Sequence, residues 1–257
     1  MPANVEKDSN KEDIEDYYEV NVIATINLLD YCLKRGINKV ITFGSRFDTR
    51  LYSQDTIIKE DTPLNFSYKD DHTAYVLTNT AKQEVMEYYN QRYGMHNIIL
   101  RVPSVFGVGP HGSFCKNGVY IKSGLQIFME KAQAGETIEV YGSENTRKDL
   151  LYVKDLANGV RLSLLSETAL GLYNIGYKEN FKLMDIVKAI VKVFSTEGHV
   201  SSIVPRPDIP NNGGFPTMDC SKIEKEVGWK ASYSDAETMF VDYKKELDRG
   251  VYSNLFS

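Results

Sequence analysis

Apolar residues recur at helical spacing from Ile14 to Arg35, in IEDYYEVNVIATINLLDYCLKR, and Gly36 follows where a left-handed C-cap belongs. A short apolar run, KVITF over 39–43, then predicts a buried strand that ends at Gly44 and Ser45. Residues 46–72 are polar and read as a loop, long enough to suggest a functional role. Helical spacing returns from Thr73 to Tyr93 with Gly94 as its stop, and NIILRV (97–102) predicts a second apolar strand closed by Pro103. Strands that are apolar throughout, set between helices, predict a parallel sheet covered on both faces, and so an α/β chain.

The pattern changes character after Pro110. It predicts a helix near 119–134, strands at 137–142 and 149–153, and a helix over 154–166. A strand at 172–176 and a helix at 182–194 follow, then a Pro-rich loop at 204–216 and a terminal helix pair. The expected organisation is a sheet-forming part at 1–110 and a C-terminal α/β part at 111–257. The strand near 172–176 is expected to rejoin the main sheet.

Charge and cysteine content narrow the setting. A net charge of −5 over 257 residues gives no reason to expect nucleic acid or an acidic membrane as partner. No apolar run approaches the length of a membrane span, and the first residues are polar and acidic, unlike a signal peptide. Cys32, Cys115 and Cys220 are few and far apart, which points to free thiols in a reducing cytoplasm. His72, His96, His111 and His199 form no HxxxH or CxxC pattern, so no metal site is expected.

Four stretches, in order, resemble one family. YYEVNVIATINLLDYCLKRGINKVITFGS is similar to a fourth helix and fifth strand, and YVLTN…YGMHNIILRVPSVFGVGP to a catalytic helix and the strand after it. GETIEVYGSENTRKDLLYVKDLANGV carries an Arg, an Asp and a YVxDxA helix start, and KIEKEVGWKASYS resembles a C-terminal LGWxP element. Together they resemble the extended short-chain dehydrogenases, the NAD-dependent epimerases/dehydratases that act mostly on nucleotide sugars. The resemblance implies a doubly wound, Rossmann-like sheet, present here only in part, with a smaller substrate region. It also implies NAD as cofactor, a nucleotide-diphosphate sugar as ligand, and a homo-oligomer.

By the same resemblance Tyr75 is the acid/base at a sugar hydroxyl and a neighbour of the cofactor, and Ser45 is its partner. A simple turn serine is the other reading of Ser45. The family places a lysine one helical turn after the tyrosine, on the same helix face, to lower the phenol pKa. Here that position is Asn79, which has no charge to give. Lys82 lies two turns from Tyr75, about 10 Å along the axis, and the register that pairs Lys82 with Thr78 lacks a phenol. Pro103 is carried over as a cofactor neighbour and Ser104 as a substrate contact. Arg147, Lys148 and Arg206 are carried over as cations for the diphosphate, because charge-assisted hydrogen bonds are strong; surface salt bridges are the alternative. Asp155 reads as a helix start and Trp229 as core. Tyr17, Tyr18, Tyr88, Tyr89 and Tyr93 lie on the two helices that relatives use to dimerise, or form ordinary core.

The family's opening strand, Gly-rich turn and helix, which hold the dinucleotide pyrophosphate, have no counterpart in these residues. The chain resembles the family from just after its fourth strand, so about two βαβ units of ~30 residues each are expected to be missing. A chain of this kind is expected to be inactive alone and not to bind NAD. The alternatives are a non-catalytic nucleotide-sugar binder, one half of a split enzyme, or a start placed inside a longer reading frame. Without the fourth strand, 39–43 would be a bare apolar edge, inviting self-association or a strand-donating partner.

Overall fold

The computed structural model describes residues 14–69, 72–109, 113–116, 119–211 and 213–250. The polar stretch 1–13, the boundary at 110/111 and the Cys115 thiol lie outside what it describes. The first helix runs as α1 (Ile14–Tyr18), a π-helical turn (Glu19–Ile23) and α2 (Ala24–Lys34). At the π-turn Asn21 donates to the Thr78 hydroxyl (3.0 Å), which ties this helix to the next one. The strand β1 (Ile41–Ser45) begins two residues later than its apolar run, because the Val40 N–H is taken by the Asn97 side chain.

The stretch 46–72 is not a free loop. It holds a 3-10 turn (Arg46–Thr49) and β2 (Ile57–Ile58), whose Ile58 is fully buried. Then come α3 (Thr73–Tyr93), capped by left-handed Gly94, and β3 (Ile98–Val102). After β4 (Ser104–Phe106), the strands β5 (Ser113–Lys116) and β6 (Val119–Lys122) pair antiparallel. The expected helix over 119–134 is therefore shorter. Ser123 caps it at Gln126 (3.2 Å), so α4 spans Gly124–Ala134 and the residues before it form a hairpin.

The remainder runs β7 (Ile138–Tyr141), β8 (Arg147–Lys148), β9 (Leu150–Tyr152), α5 (Val153–Leu165) and β10 (Gly171–Asn174). It continues with β11 (Phe181–Lys182), α6 (Leu183–Phe194), β12 (Ile203–Arg206), β13 (Thr217–Met218), α7 (Ser221–Val227) and α8 (Ala236–Asp248). The Pro-rich loop thus contains a strand: β12 pairs parallel with β7, and Pro205 is tolerated because the pair is only two strands wide.

The central sheet is parallel, in the order β1-β3-β10. Successive β3 side chains face opposite ways. Ile98 and Leu100 enter a large core with α4, α5, α6 and α8, while Ile99 joins Leu29, Cys32, Met86, Tyr89 and Met95 under α2 and α3. Both faces are covered, as continuous apolar strands require. Among the described residues β1 has β3 as its one strand neighbour. No helix of the described residues is long and apolar enough to cross a membrane.

Candidate active site at the end of the sheet

The chain leaves β1 at Ser45, whose hydroxyl accepts from the Phe47 N–H (3.3 Å) and so caps the 3-10 turn. That turn holds the Phe47 ring flat on His72, with centroids 4.5 Å apart, and edge-on to Tyr75 at 6.2 Å. Ser45 and Tyr75, 30 residues apart in sequence, are thereby brought to one end of the sheet. Tyr17 also packs edge-on against Tyr75, at 6.2 Å.

Below Tyr75 the helix carries Asn79 and Lys82, both buried. The Asn79 amide nitrogen donates to the Tyr75 carbonyl (2.9 Å), and its oxygen accepts from the Lys82 ammonium (2.7 Å). Lys82 spends a second hydrogen on the Phe43 carbonyl of β1 (2.8 Å). The nearest lysine is thus directed at the sheet and at Asn79. Burial lowers its pKa from 10.5 to about 8, since a charge is costly away from water.

Folded Lys82 therefore releases its proton at lower pH than unfolded Lys82. Its contribution to stability is complete above 10.5 and is lost as pH falls through 8. Stability is expected to rise between pH 8 and 10 by on the order of 2 kcal/mol, and Lys82→Met should flatten that rise. Urea unfolding at a series of pH values measures it; an unchanged slope in Lys82→Met would assign the rise to other groups.

Arg46 crosses from the 3-10 turn to the start of β9. It is buried, forms an ion pair with Asp149, and donates to the Ser104 hydroxyl (3.3 Å). Its guanidinium lies 3.7 Å over the Phe215 ring and 4.8 Å from Phe47. Ser104 also donates to Asp149 (3.5 Å). Burial pushes the Asp149 carboxyl up to about 6 despite the adjacent cation. Two guanidinium nitrogens of Arg46, Nε and Nη1, are buried without a hydrogen-bond partner among the described residues, and the first of them is ion-paired with Asp149. Behind this group Asp48 and Arg101 form a second buried ion pair (3.1 Å), and Arg101 also donates to the Asn174 side chain (3.3 Å).

The cations singled out in the sequence are spread along the rim. Lys148 donates to the Gly213 carbonyl (2.7 Å), with Phe215 5.4 Å away, and burial lowers its pKa. Arg147 is half-buried in β8, and its N–H donates to the Gln54 side chain (3.1 Å). Arg206 is ion-paired with Glu139 (2.6 Å) and Asp208 (3.0 Å) on the β12–β7 pair. Asn211 links these regions, donating to the carbonyl of Tyr141 and the hydroxyl of Thr146. Pro103 is buried between β3 and β4, near Gly176. Among the described residues no group of three or more His, Cys, Asp or Glu could hold a metal.

Asp155 does more than begin a helix. Its carboxylate accepts from the Tyr177 hydroxyl (3.0 Å) and from the N–H groups of Ser232 (2.8 Å) and Tyr233 (3.0 Å). Its carbonyl accepts from the Trp229 indole (2.9 Å), and Trp229 is core. The tyrosine stripe divides: Tyr89 is buried and donates to Asp30 (2.5 Å), while Tyr18, Tyr88 and Tyr93 are exposed. Reading the sequence assigned no role to Arg46, Asp149 or the Asp48–Arg101 pair. The available signal was an Arg and an Asp inside an otherwise apolar strand end.

The sequence matches the family model for the NAD dependent epimerase/dehydratase family over residues 3–176. It is 26% identical to UDP-glucose 4-epimerase 4 of Oryza sativa subsp. japonica over 86% of this chain and 61% of that protein. It is 25% identical to UDP-glucose 4-epimerase of Halalkalibacterium halodurans over 90% of this chain and 70% of that protein. The chain thus spans about three fifths of the length of the rice relative. Its fold is similar to UDP-N-acetylglucosamine 4-epimerase from Methanobrevibacter ruminantium M1, with a TM-score of 0.71 at 17% identity, over 97% of this chain and 76% of that one. It is also similar to dTDP-glucose 4,6-dehydratase from Bacillus anthracis, with a TM-score of 0.66 at 18% identity, over 91% of this chain and 70% of that one. With that match covering most of its length, the chain belongs to the NAD dependent epimerase/dehydratase family.

Proposed function

We propose that this chain binds a nucleoside-diphosphate sugar at the end of the central sheet and, as it stands, does not turn it over. The observation that carries the first half is that Arg46 links Phe47, which contacts Ser45 and Tyr75, to Ser104 and Asp149. In this reading Tyr75 and Ser45 face the sugar, Ser104 contacts its diphosphate end, and Arg147, Lys148 and Arg206 supply cations on the rim. Charge-assisted bonds to a diphosphate are roughly twice as strong as neutral ones.

The second half rests on Asn79. Similar structures, including those of the Thermus thermophilus UDP-glucose 4-epimerase and the Bacillus anthracis dehydratase, hold NAD. In this chain the position expected to carry the lysine has an amide bonded within the protein at both ends, to Tyr75 and to Lys82. These residues do not fit a nicotinamide ribose. The exposed Tyr18, Tyr88 and Tyr93 support a homo-oligomer formed through the α1–α2 and α3 helices.

Differential scanning fluorimetry tests the binding. At ~100-fold excess over Kd, UDP-glucose or dTDP-glucose should raise the Tm by about 5 °C or more. Lys148→Ala or Arg147→Ala should abolish the rise, while NAD alone produces none. No shift with uridine, thymidine, guanosine or cytidine diphosphate sugars would overturn the proposal. Saturable micromolar NAD binding would overturn its second half.

A further inference from the structure

The stretch 46–72 reaches across to the loop that ends at Phe215 through one side chain, Gln54. It lies between the 3-10 turn and β2 and is half-buried. Its Oε1 accepts from the Arg147 N–H of β8 (3.1 Å). The same oxygen lies against Gly214. A Cβ at position 214 would come within 1.8 Å of that oxygen and within 2.9 Å of two Gln54 carbons, so a glycine is what leaves room for Gln54. The loop is also held from other directions. The Phe215 N–H donates to the Arg147 carbonyl (3.1 Å), Lys148 donates to the Gly213 carbonyl (2.7 Å), and Asn180 donates to the Phe215 carbonyl (2.9 Å). Just beyond it β13 pairs parallel with β2. The ring that this loop carries, Phe215, lies 3.7 Å from the Arg46 guanidinium.

We propose, resting on the nucleotide-sugar reading of this site, that Gln54 is a positioning residue: wedged between β8 and Gly214, it sets where the β8 cations stand relative to the loop that carries Phe215 to Arg46. Arg147 gives its N–H to Gln54 and its carbonyl to Phe215, so the backbone that bears both rim cations is clamped on two sides. Lys148 spends one hydrogen on Gly213 and has two more to offer a diphosphate from a fixed place. Without the Gln54 amide the Arg147 N–H loses its acceptor and Gly214 loses its stop. The loop and the cations must then be ordered by the ligand, and ordering at the moment of binding costs affinity. The length of 46–72 thereby has a use, since it carries Gln54 from the end of β1 to β8.

Parent chain, Gln54→Ala, Gly214→Ala and the double variant would be compared by amide hydrogen exchange without ligand and by titration calorimetry with UDP-glucose and dTDP-glucose. Gln54→Ala should speed exchange of the Phe215 amide about tenfold while leaving the β3 amides as in the parent. It should weaken nucleotide-sugar binding about tenfold, because the ordering cost moves to the binding step. Gly214→Ala drives the Gln54 side chain out from the other side and should have the same two effects. The double variant should be little worse than either single change, since both break one contact. A parent that binds and a Gln54→Ala variant that binds equally well would overturn the proposal. So would an unchanged Phe215 amide, or losses that add in the double variant. A parent that binds no uridine, thymidine, guanosine or cytidine diphosphate sugar, with Phe215 still loosened by Gln54→Ala, would overturn the nucleotide-sugar reading and the positioning role with it. If Gly214→Ala does not fold, Gln54→Ala, which only removes atoms from a half-buried side chain, decides.

Discussion

Asp155→Ala is expected to destabilise the chain by about 3–5 kcal/mol, the cost typical of stripping a buried charge from its partners. The carboxylate holds three donors: the Tyr177 hydroxyl and the N–H groups of Ser232 and Tyr233. Tyr177 in turn accepts from the Tyr152 N–H (3.1 Å), so its hydroxyl orientation depends on Asp155 as well. Alanine would leave buried donors without acceptors, and each such group costs about 1–3 kcal/mol. Asp155→Asn keeps the size but turns one end into a donor facing N–H groups, so an intermediate loss is expected. Trp229 is the single tryptophan and bonds to the Asp155 carbonyl, so its fluorescence during urea unfolding reports the affected region. A loss below 1 kcal/mol for Asp155→Ala would mean that the 229–233 segment is ordered by other contacts.

Asn79→Lys is the second large effect, and it runs against the simple expectation that restoring a lysine repairs the site. The new ammonium would lie beside Lys82, whose charge is already buried and already relies on the Asn79 oxygen. The substitution removes that acceptor, removes the bond to the Tyr75 carbonyl, and adds a like charge. A loss of about 3 kcal/mol is expected, in the range for uncompensated buried charge. Adding Lys82→Met should recover about half of it or more, giving a coupling between the two positions on the order of 1.5 kcal/mol in a double-mutant cycle. Additive effects of the two changes would show that the residues do not interact. When a relative's dinucleotide-binding part is fused ahead of residue 1, activity is accordingly expected from the double variant and not from Asn79→Lys alone.

Much of the fold was legible in local pattern. The helix from Thr73 to Tyr93 with its Gly94 cap, and the fully apolar strand at 98–102, follow from spacing and from the conformational freedom of one glycine. The hairpin before α4 was missed. Val119, Tyr120 and Ile121 are as compatible with a helix start as with a strand, and the Ser123 cap decided between them. The strand at 203–206 was missed because Pro205 argues against one, and only the two-strand pairing with β7 accommodates it.

The candidate site shows where local reading stops. Residue types at Ser45, Tyr75, Asn79 and Ser104 could be read one by one, because a motif is a matter of order along the chain. Which of them share a contact could not be. Arg46 reaches Asp149 across more than a hundred residues, and Lys82 reaches back 39 residues to the Phe43 carbonyl. The sequence by itself determined the periodicities, the caps and the absence of a charge at position 79, since these are properties of neighbours three or four residues apart. Only the tertiary structure decided that Arg46 joins the 3-10 turn to Asp149 and that Lys82 bonds to the Phe43 carbonyl of β1. Both are charges taken out of water, and what a buried charge does is set by the few acceptors the fold leaves within reach.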